Sequence, residues 1–188
     1  MIAVRTYVRA VVRDRSGKVI EDTGWRRTNT LTKNFFAFLR AAAASKNTPV
    51  VRRDGTTGTI QNPKAAAEYF MRLHDSAGYD EIGLQVGTGT TEPTRDDYKL
   101  ESQIRHGTGA GQLSYGASEV YYGPDYLEVR RSFNNQSGAD ITINEVGLMA
   151  FYYDVDAASG YWALIARSLF TITIPDGGSA TLYYRIQG

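Results

Sequence analysis

From Gly78 to its end the chain is a succession of apolar, tyrosine-rich runs: EIGLQV, QLSYGASEVYY, YLEVRRSF, ITINEVGLMAFYY, YWALIARSLF, FTITI and SATLYYRI. Between them lie the short stretches GTGTTEPT, GPD, NNQSG, DAASG and PDGG. Nothing else in the sequence constrains the fold as much. Runs of this kind, joined by turns and without alternating helices, lack the crossovers that parallel strands require. They predict a mainly β protein, an antiparallel and jelly-roll-like β-sandwich.

The first thirteen residues follow the same rule. Val4, Thr6, Val8, Ala10 and Val12 alternate with Arg5, Tyr7, Arg9, Val11 and Arg13, the pattern of a half-buried strand whose arginine face is wet or bound to a partner. Ser16-Gly17 supplies turn chemistry before Val19, Ile20 and Trp25, so residues 3 to 26 read as a hairpin. At Thr30 the period changes: Leu31, Phe35, Phe38, Leu39 and Ala42 recur at helical spacing, with Asn29 or Thr30 as cap. The alanines at 41 to 44 favour helix, and Lys46-Asn47-Thr48-Pro49 ends it. One α-helix, in the N-terminal half, is therefore expected to pack on the sandwich.

At 188 residues the chain suits a single domain, 1 to 188. The stretch from about 45 to 80 reads as an insertion of undecided structure. NPKAAAEYFMRLH suits a helix with Pro63 at its first position, or a lead into a strand over Tyr69 to Leu73. The patterns place Val4, Val8, Val12, Phe35, Leu39, Val146, Leu148, Leu164, Ile172 and Ile174 in the core. RSFNNQSGADITI reads as a hairpin or tight corner, with Phe133 packing near Ile141 or Ile143.

Composition narrows the chemistry. Lys and Arg number 21 against 20 Asp and Glu, so the overall basic excess of a dedicated nucleic-acid binder is absent. With no cysteine and two histidines, His74 and His106, thiol chemistry and the usual zinc sites are excluded. The N-terminus lacks the basic, apolar and small-residue zones of a secretion signal, and no apolar run approaches a spanning helix. A soluble chain made in the cytoplasm is the expectation.

Motifs that resemble catalytic equipment are incomplete. GTGTT at 87 to 91 is followed by Glu92 and Pro93, with no lysine to reach a phosphate and no helix to receive a pyrophosphate; HGTGAGQ at 106 to 112 leads into a strand. Both read as glycine turns. In GTGTT, Gly87 and Gly89 are expected to supply backbone angles closed to other residues, with Thr90, Thr91 and Pro93 shaping the exit. His106 has no serine elbow, and Asp154-Val155-Asp156 lacks the glycine and closing glutamate of a calcium loop. Asp96-Asp97 reads as a turn in TRDDYKL. Arg26-Arg27, Arg52-Arg53 and Arg130-Arg131 read as solvated surface, and Asn135-Gln136-Ser137 as a chance glycosylation match. The sequence implies no enzyme, no metal and no cofactor.

Tyrosine carries more. Tyr121-Tyr122, Tyr152-Tyr153 and Tyr183-Tyr184 fall in expected strands, so each pair should send one ring inward and one outward. Arg5, Tyr7, Arg9 and Arg13, with Tyr121, Tyr122, Tyr152 and Tyr153, are the candidate protein interface, since arginine and tyrosine are enriched at interfaces. Ordinary strand preference for tyrosine and a sugar-binding face are the other two readings.

GTGTTEPTRDDYKLESQI, HGTGAGQLSYGA, RRSFNNQSGADITINEVGLMAF, ALIARSLF and ITIPDGGSATLYYRI, in this order and spacing, resemble a family of virion structural proteins of tailed phages and related prokaryotic viruses. The resemblance covers about residues 80 to 186; the opening hairpin and NTLTKNFFAFL follow it more loosely. Glu92 departs from a position where a small residue is common, Gln103 from a proline, and Ser168 from an acid. The resemblance implies a non-enzymatic virion protein, assembled in the host cytoplasm and placed on the capsid exterior as a decoration or cement protein. A tail, baseplate or head–tail connector position is the alternative, and a carbohydrate-binding module a further one. The implied partners are copies of itself, with a trimer as the first arrangement, and other virion proteins such as the major capsid protein.

Overall fold

Alternation along the first strand sets the frame. In the computed structural model, which describes residues 4–28, 30–65 and 69–188, β1 (Arg5–Arg13) buries Thr6, Val8, Ala10 and Val12 and turns its odd-numbered residues away from the core. β11 (Ser179–Gln187) pairs antiparallel along one whole edge of β1. The other edge is shared by β2 (Val19–Asp22) and β3 (Arg26–Thr28), which pair at residues 11–13 and 6–8. β8 (Tyr126–Asn134) and β7 (Ser114–Tyr122) complete, among the described residues, a six-stranded sheet in the order β2-β1-β11-β8-β7 with β3 beside β1.

The second sheet centres on β9 (Ile141–Asp154) and β10 (Ser159–Ile174), with β6 (Gly83–Gly87), β4 (Thr48–Val51) and β5 (Thr57–Ile60). YWALIARSLF and FTITI are one continuous strand, β10, bulged between Leu164 and Ala166 and again between Leu169 and Ile172. β8 and β11 are neighbours in one sheet while β9 and β10 are neighbours in the other. The chain from β8 to β11 is thus a long hairpin bent across both sheets, the element from which jelly rolls are built. RSFNNQSGADITI is its corner between sheets, with Phe133, Ile141 and Ile143 all in the core.

Asn135 makes that corner. Its buried Nδ2 donates to the carbonyls of Ala139 at 2.8 Å and Ile174 at 2.9 Å, and its Oδ1 accepts from the Ser137 amide and hydroxyl. The side chain of the apparent glycosylation match is therefore a structural bracket.

The insertion resolves into the β4–β5 hairpin, which joins the second sheet where Ile60 meets Asp154. Residues 63–65 form a turn, and Arg72 and Asp75 make single bridges to Phe151 and Ser118. Neither a helix nor a strand spans the described part of NPKAAAEYFMRLH. Among the described residues no helix is long and apolar enough to cross a membrane.

α1 (Lys33–Ala44) forms where the helical period begins, but the buried face differs from the expected one. Asn34, Phe35, Ala37, Phe38 and Ala41 point inward, while Leu39 is 46% exposed and Ala42 faces outward. The reason is polar: Asn34 uses its side chain on Val51 and Leu164, at 2.9 Å and 3.2 Å, and so fixes the helix's rotation about its axis. Val4, expected in the core, is 49% exposed just before β1 begins. Asn29 lies outside the described residues; the helix is preceded by Thr32, whose hydroxyl donates to the Leu164 carbonyl rather than capping. Ser45 ends the helix in the left-handed conformation.

Phe35 and Phe38 carry α1 onto the core beside β4 and β10 of the second sheet, Phe38 edge-on to both Phe70 and Tyr152. Phe35→Ala is expected to cost about 3–5 kcal/mol in urea unfolding through the cavity it leaves. Leu39→Ala should change the midpoint little.

Candidate interaction surface

On the outward face of the six-stranded sheet, the two rows centred on Tyr7 and Arg9 set arginines, aromatics and one acid opposite one another across β1, β11 and β8. Tyr7 faces Arg185, Arg185 faces Glu128, Arg9 faces Tyr183 and Tyr183 faces Arg130. Cross-strand neighbours on one face stand close enough to pack, and here they interlock. The Arg185 guanidinium lies 4.1 Å from the Trp25 ring centre and 4.4 Å from that of Tyr126, and Arg130 lies 3.8 Å from Tyr121. Trp25 meets Tyr183 edge-on at 6.2 Å.

Glu128 sits under this layer, 1% exposed although its face is the outer one. Its oxygens accept from Arg130 at 2.5 Å and from Arg185 at 2.6 Å and 3.0 Å. A buried carboxylate gripped by two guanidiniums fixes both arginines and, through them, the rings they cover. The surface is thus held in place before any partner arrives.

The expected interface residues divide. Arg5, Tyr7, Arg9, Arg13 and Tyr121 share this face, but Arg9 is tied to Asp22 by two bonds and Arg13 to the Gly17 carbonyl, so both also fasten the β1–β2 hairpin. Tyr122 is 82% exposed and Tyr121 is exposed as well, contrary to the one-in, one-out expectation, because the end of edge strand β7 reaches beyond the layer that would cover it. Tyr152 is fully buried, donating to Asp154 at 2.9 Å and packing on Phe38, and takes no part in a surface; burial pushes its phenol upward. Tyr153 is half-buried on the other sheet. Sequence reading missed Trp25, Tyr126, Glu128, Arg130 and Arg185.

Acid-base groups elsewhere are engaged in holding loops. Glu145, fully buried, accepts from the amides of Gly89, Glu101 and Ser102 at 3.2, 3.1 and 2.8 Å and from Arg167 Nε at 2.7 Å. Arg167 reaches on to Asp97 at 2.8 Å and the Thr91 carbonyl at 3.0 Å. GTGTT therefore does meet an anion, the Glu145 carboxylate of its own chain, but it contributes only the Gly89 amide to a cradle completed by residues 101 and 102. Neither Gly87 nor Gly89 has a positive φ. They are required instead by close approach: a Cβ on either would lie 2.5 Å from Glu145 Oε1. His106 Nδ1 accepts the Tyr115 amide, and Asp154 bridges Arg52, Tyr152 and the β9–β10 turn.

These pairings set an acid limit. Arg9 and the Gly24 amide hold the Asp22 carboxyl down to about 2; in Asp97 and Asp154 burial, the largest single effect, pushes upward, but the bonds from Arg167 and Thr94 to the one and from Arg52, Tyr152 and backbone amides to the other together lower both. A carboxyl depressed on folding stabilises above its unfolded value, near 3.8, and that contribution is lost as pH falls through the folded one. Urea midpoints should therefore hold from pH 7 to about 5 and drop progressively from about 4 towards 2.

No family model, no curated protein and no solved structure matches this chain.

Proposed function

We propose that this is a non-enzymatic virion structural protein of a tailed virus, seated on the capsid exterior as a decoration or cement protein. The observation that carries the reading is the outward face around Glu128. Arginines and aromatic rings held rigidly on a broad sheet lose little side-chain freedom on docking, which is what favours such residues at the centre of protein interfaces. The resemblance of residues 80 to 186 to virion proteins supplies the setting, with assembly in the host cytoplasm. Copies of the chain, in a trimer, and the major capsid protein are the proposed partners.

A glycan-binding role fits this face less well. Sugars stack on open ring faces, and guanidiniums already cover one face of Trp25, Tyr121 and Tyr126. Gold-labelled antibody on intact particles tests the placement: label over the head supports decoration, and label confined to the tail overturns it in favour of a tail or connector position. Arg5 and Arg27, both exposed on this face, test the surface. Arg5→Glu with Arg27→Glu should leave folding intact and abolish incorporation, whereas unchanged incorporation moves the contact elsewhere.

A further inference from the structure

Val4 and Leu39, which patterning assigns to the core, are exposed beside two adjoining hollows. One, of about 650 Å³, is lined by Phe36, Leu39 and Ala43 of the outer helix face with Lys33, Arg40 and Arg95. The other, of about 370 Å³, lies between Val4, Thr28 and Leu31 and shares Phe36 and Arg95 with the first. Together they make an apolar trough along α1 with a basic rim. Phe36 is 40% exposed, and Arg95 stands 5.1 Å from its ring centre.

The same chain carries a counterpart. β2 is an edge strand with all four residues, Val19, Ile20, Glu21 and Asp22, exposed. Its pairing with β1 slips between Val12 and Arg13, so Ile20 is the extra residue of a bulge and stands 52% exposed next to Glu21. Bulges redirect side chains and interrupt an edge that would otherwise recruit any strand. Here the bulge presents one large apolar side chain with an acid beside it. Asp22 is already held by Arg9, which leaves Glu21 as the acid directed to a partner.

We infer that the trough of one copy receives the β2 bulge of a second copy, with Ile20 in the apolar floor against Phe36 and Leu39 and Glu21 facing Arg40 and Arg95. The apolar floor supplies the area, and the opposite charges set the register, since like charges at this contact would repel. The contact depends on the trough beside α1, Arg95 included, and on β2, and stands apart from the virion reading, which particle labelling tests separately.

Because the chain has no cysteine, crosslinking is unambiguous. Ile20→Cys protein mixed with Leu39→Cys protein under mild oxidation should give a disulfide-linked pair, while each variant alone should not. In sedimentation velocity the unaltered protein should self-associate, Glu21→Lys or Arg40→Glu should weaken association roughly tenfold or more, and the two changes combined should restore it. Circular dichroism would confirm that each surface variant remains folded. A protein that sediments as a 20.8 kDa monomer at every concentration overturns the inference. So does Leu39→Cys protein that crosslinks to itself, which would place trough against trough, and so does a charge swap that fails to restore association.

Discussion

Glu145→Ala is expected to destabilise the protein by about 3–5 kcal/mol, the range for breaking a buried ion pair from one side. Glu145 is fully buried and accepts four N–H groups. Its removal leaves Arg167, itself 3% exposed, with Asp97 as its close acid and the amides of Gly89, Glu101 and Ser102 without their acceptor. Hydrogen exchange separates this from a generic core defect: those three amides should lose protection well before the β8–β11 pairing does. Glu145→Gln fills the same space but surrenders the charge, so an intermediate loss is expected. Equal protection in wild type and Glu145→Ala would show that the loop is held by something else.

Arg131→Met should cost a similar amount, on the order of 3–5 kcal/mol, though the physics differs. Arg131 is buried in the sandwich, and among the described residues no carboxylate is bonded to it. Its guanidinium donates instead to the carbonyls of Gly116, Ile82, Leu84 and Tyr79 at 2.8, 2.8, 3.0 and 2.6 Å. Burial lowers its ionisation to about 10, which still leaves it charged at neutral pH. Two effects oppose each other in the substitution. Removing a buried charge is favourable, but four carbonyls lose a charge-assisted donor, each worth about 1.5–3 kcal/mol, and their sum exceeds the gain. Arg131→Lys keeps the charge without the planar fork and should recover only part of the loss. Thermal unfolding of the three proteins checks the order: wild type above Lys, and Lys above Met. A stabilised Arg131→Met would show that the charge, not the lost bonds, dominates.

Both residues illustrate where sequence reading stops. In a strand, adjacent residues face opposite ways, and that rule separates Tyr152 from Tyr153 and Tyr184 from Tyr183, one buried and one not in each pair, without saying which; Tyr152, the buried one, stands among the expected interface residues. Applied to Arg130-Arg131 it would have sent one arginine inward; treating the doublet as solvated surface overlooked this. Glu145 and Arg167 carried a comparable signal, a charge in the middle of the apolar runs NEVGLMAF and LIARSLF, where a buried charge requires a partner. Their pairing across two strands was not visible, because partners 22 residues apart meet only through the β9–β10 register and its bulges.

Outside residues 45 to 80 the sequence by itself determined the element types and, within each strand, which residues share a side: β1 buries Thr6, Val8, Ala10 and Val12 as its alternation dictates. Whether a side is covered is a long-range matter, and there only the tertiary structure decides. Tyr122 has an inward phase and no cover. Glu128 has an outward phase and is buried by Arg130 and Arg185. Leu39 has helical periodicity in its favour, but Asn34 anchors the helix so that Leu39 faces out. Period fixes direction locally, through backbone geometry; burial depends on what the rest of the chain brings over that spot.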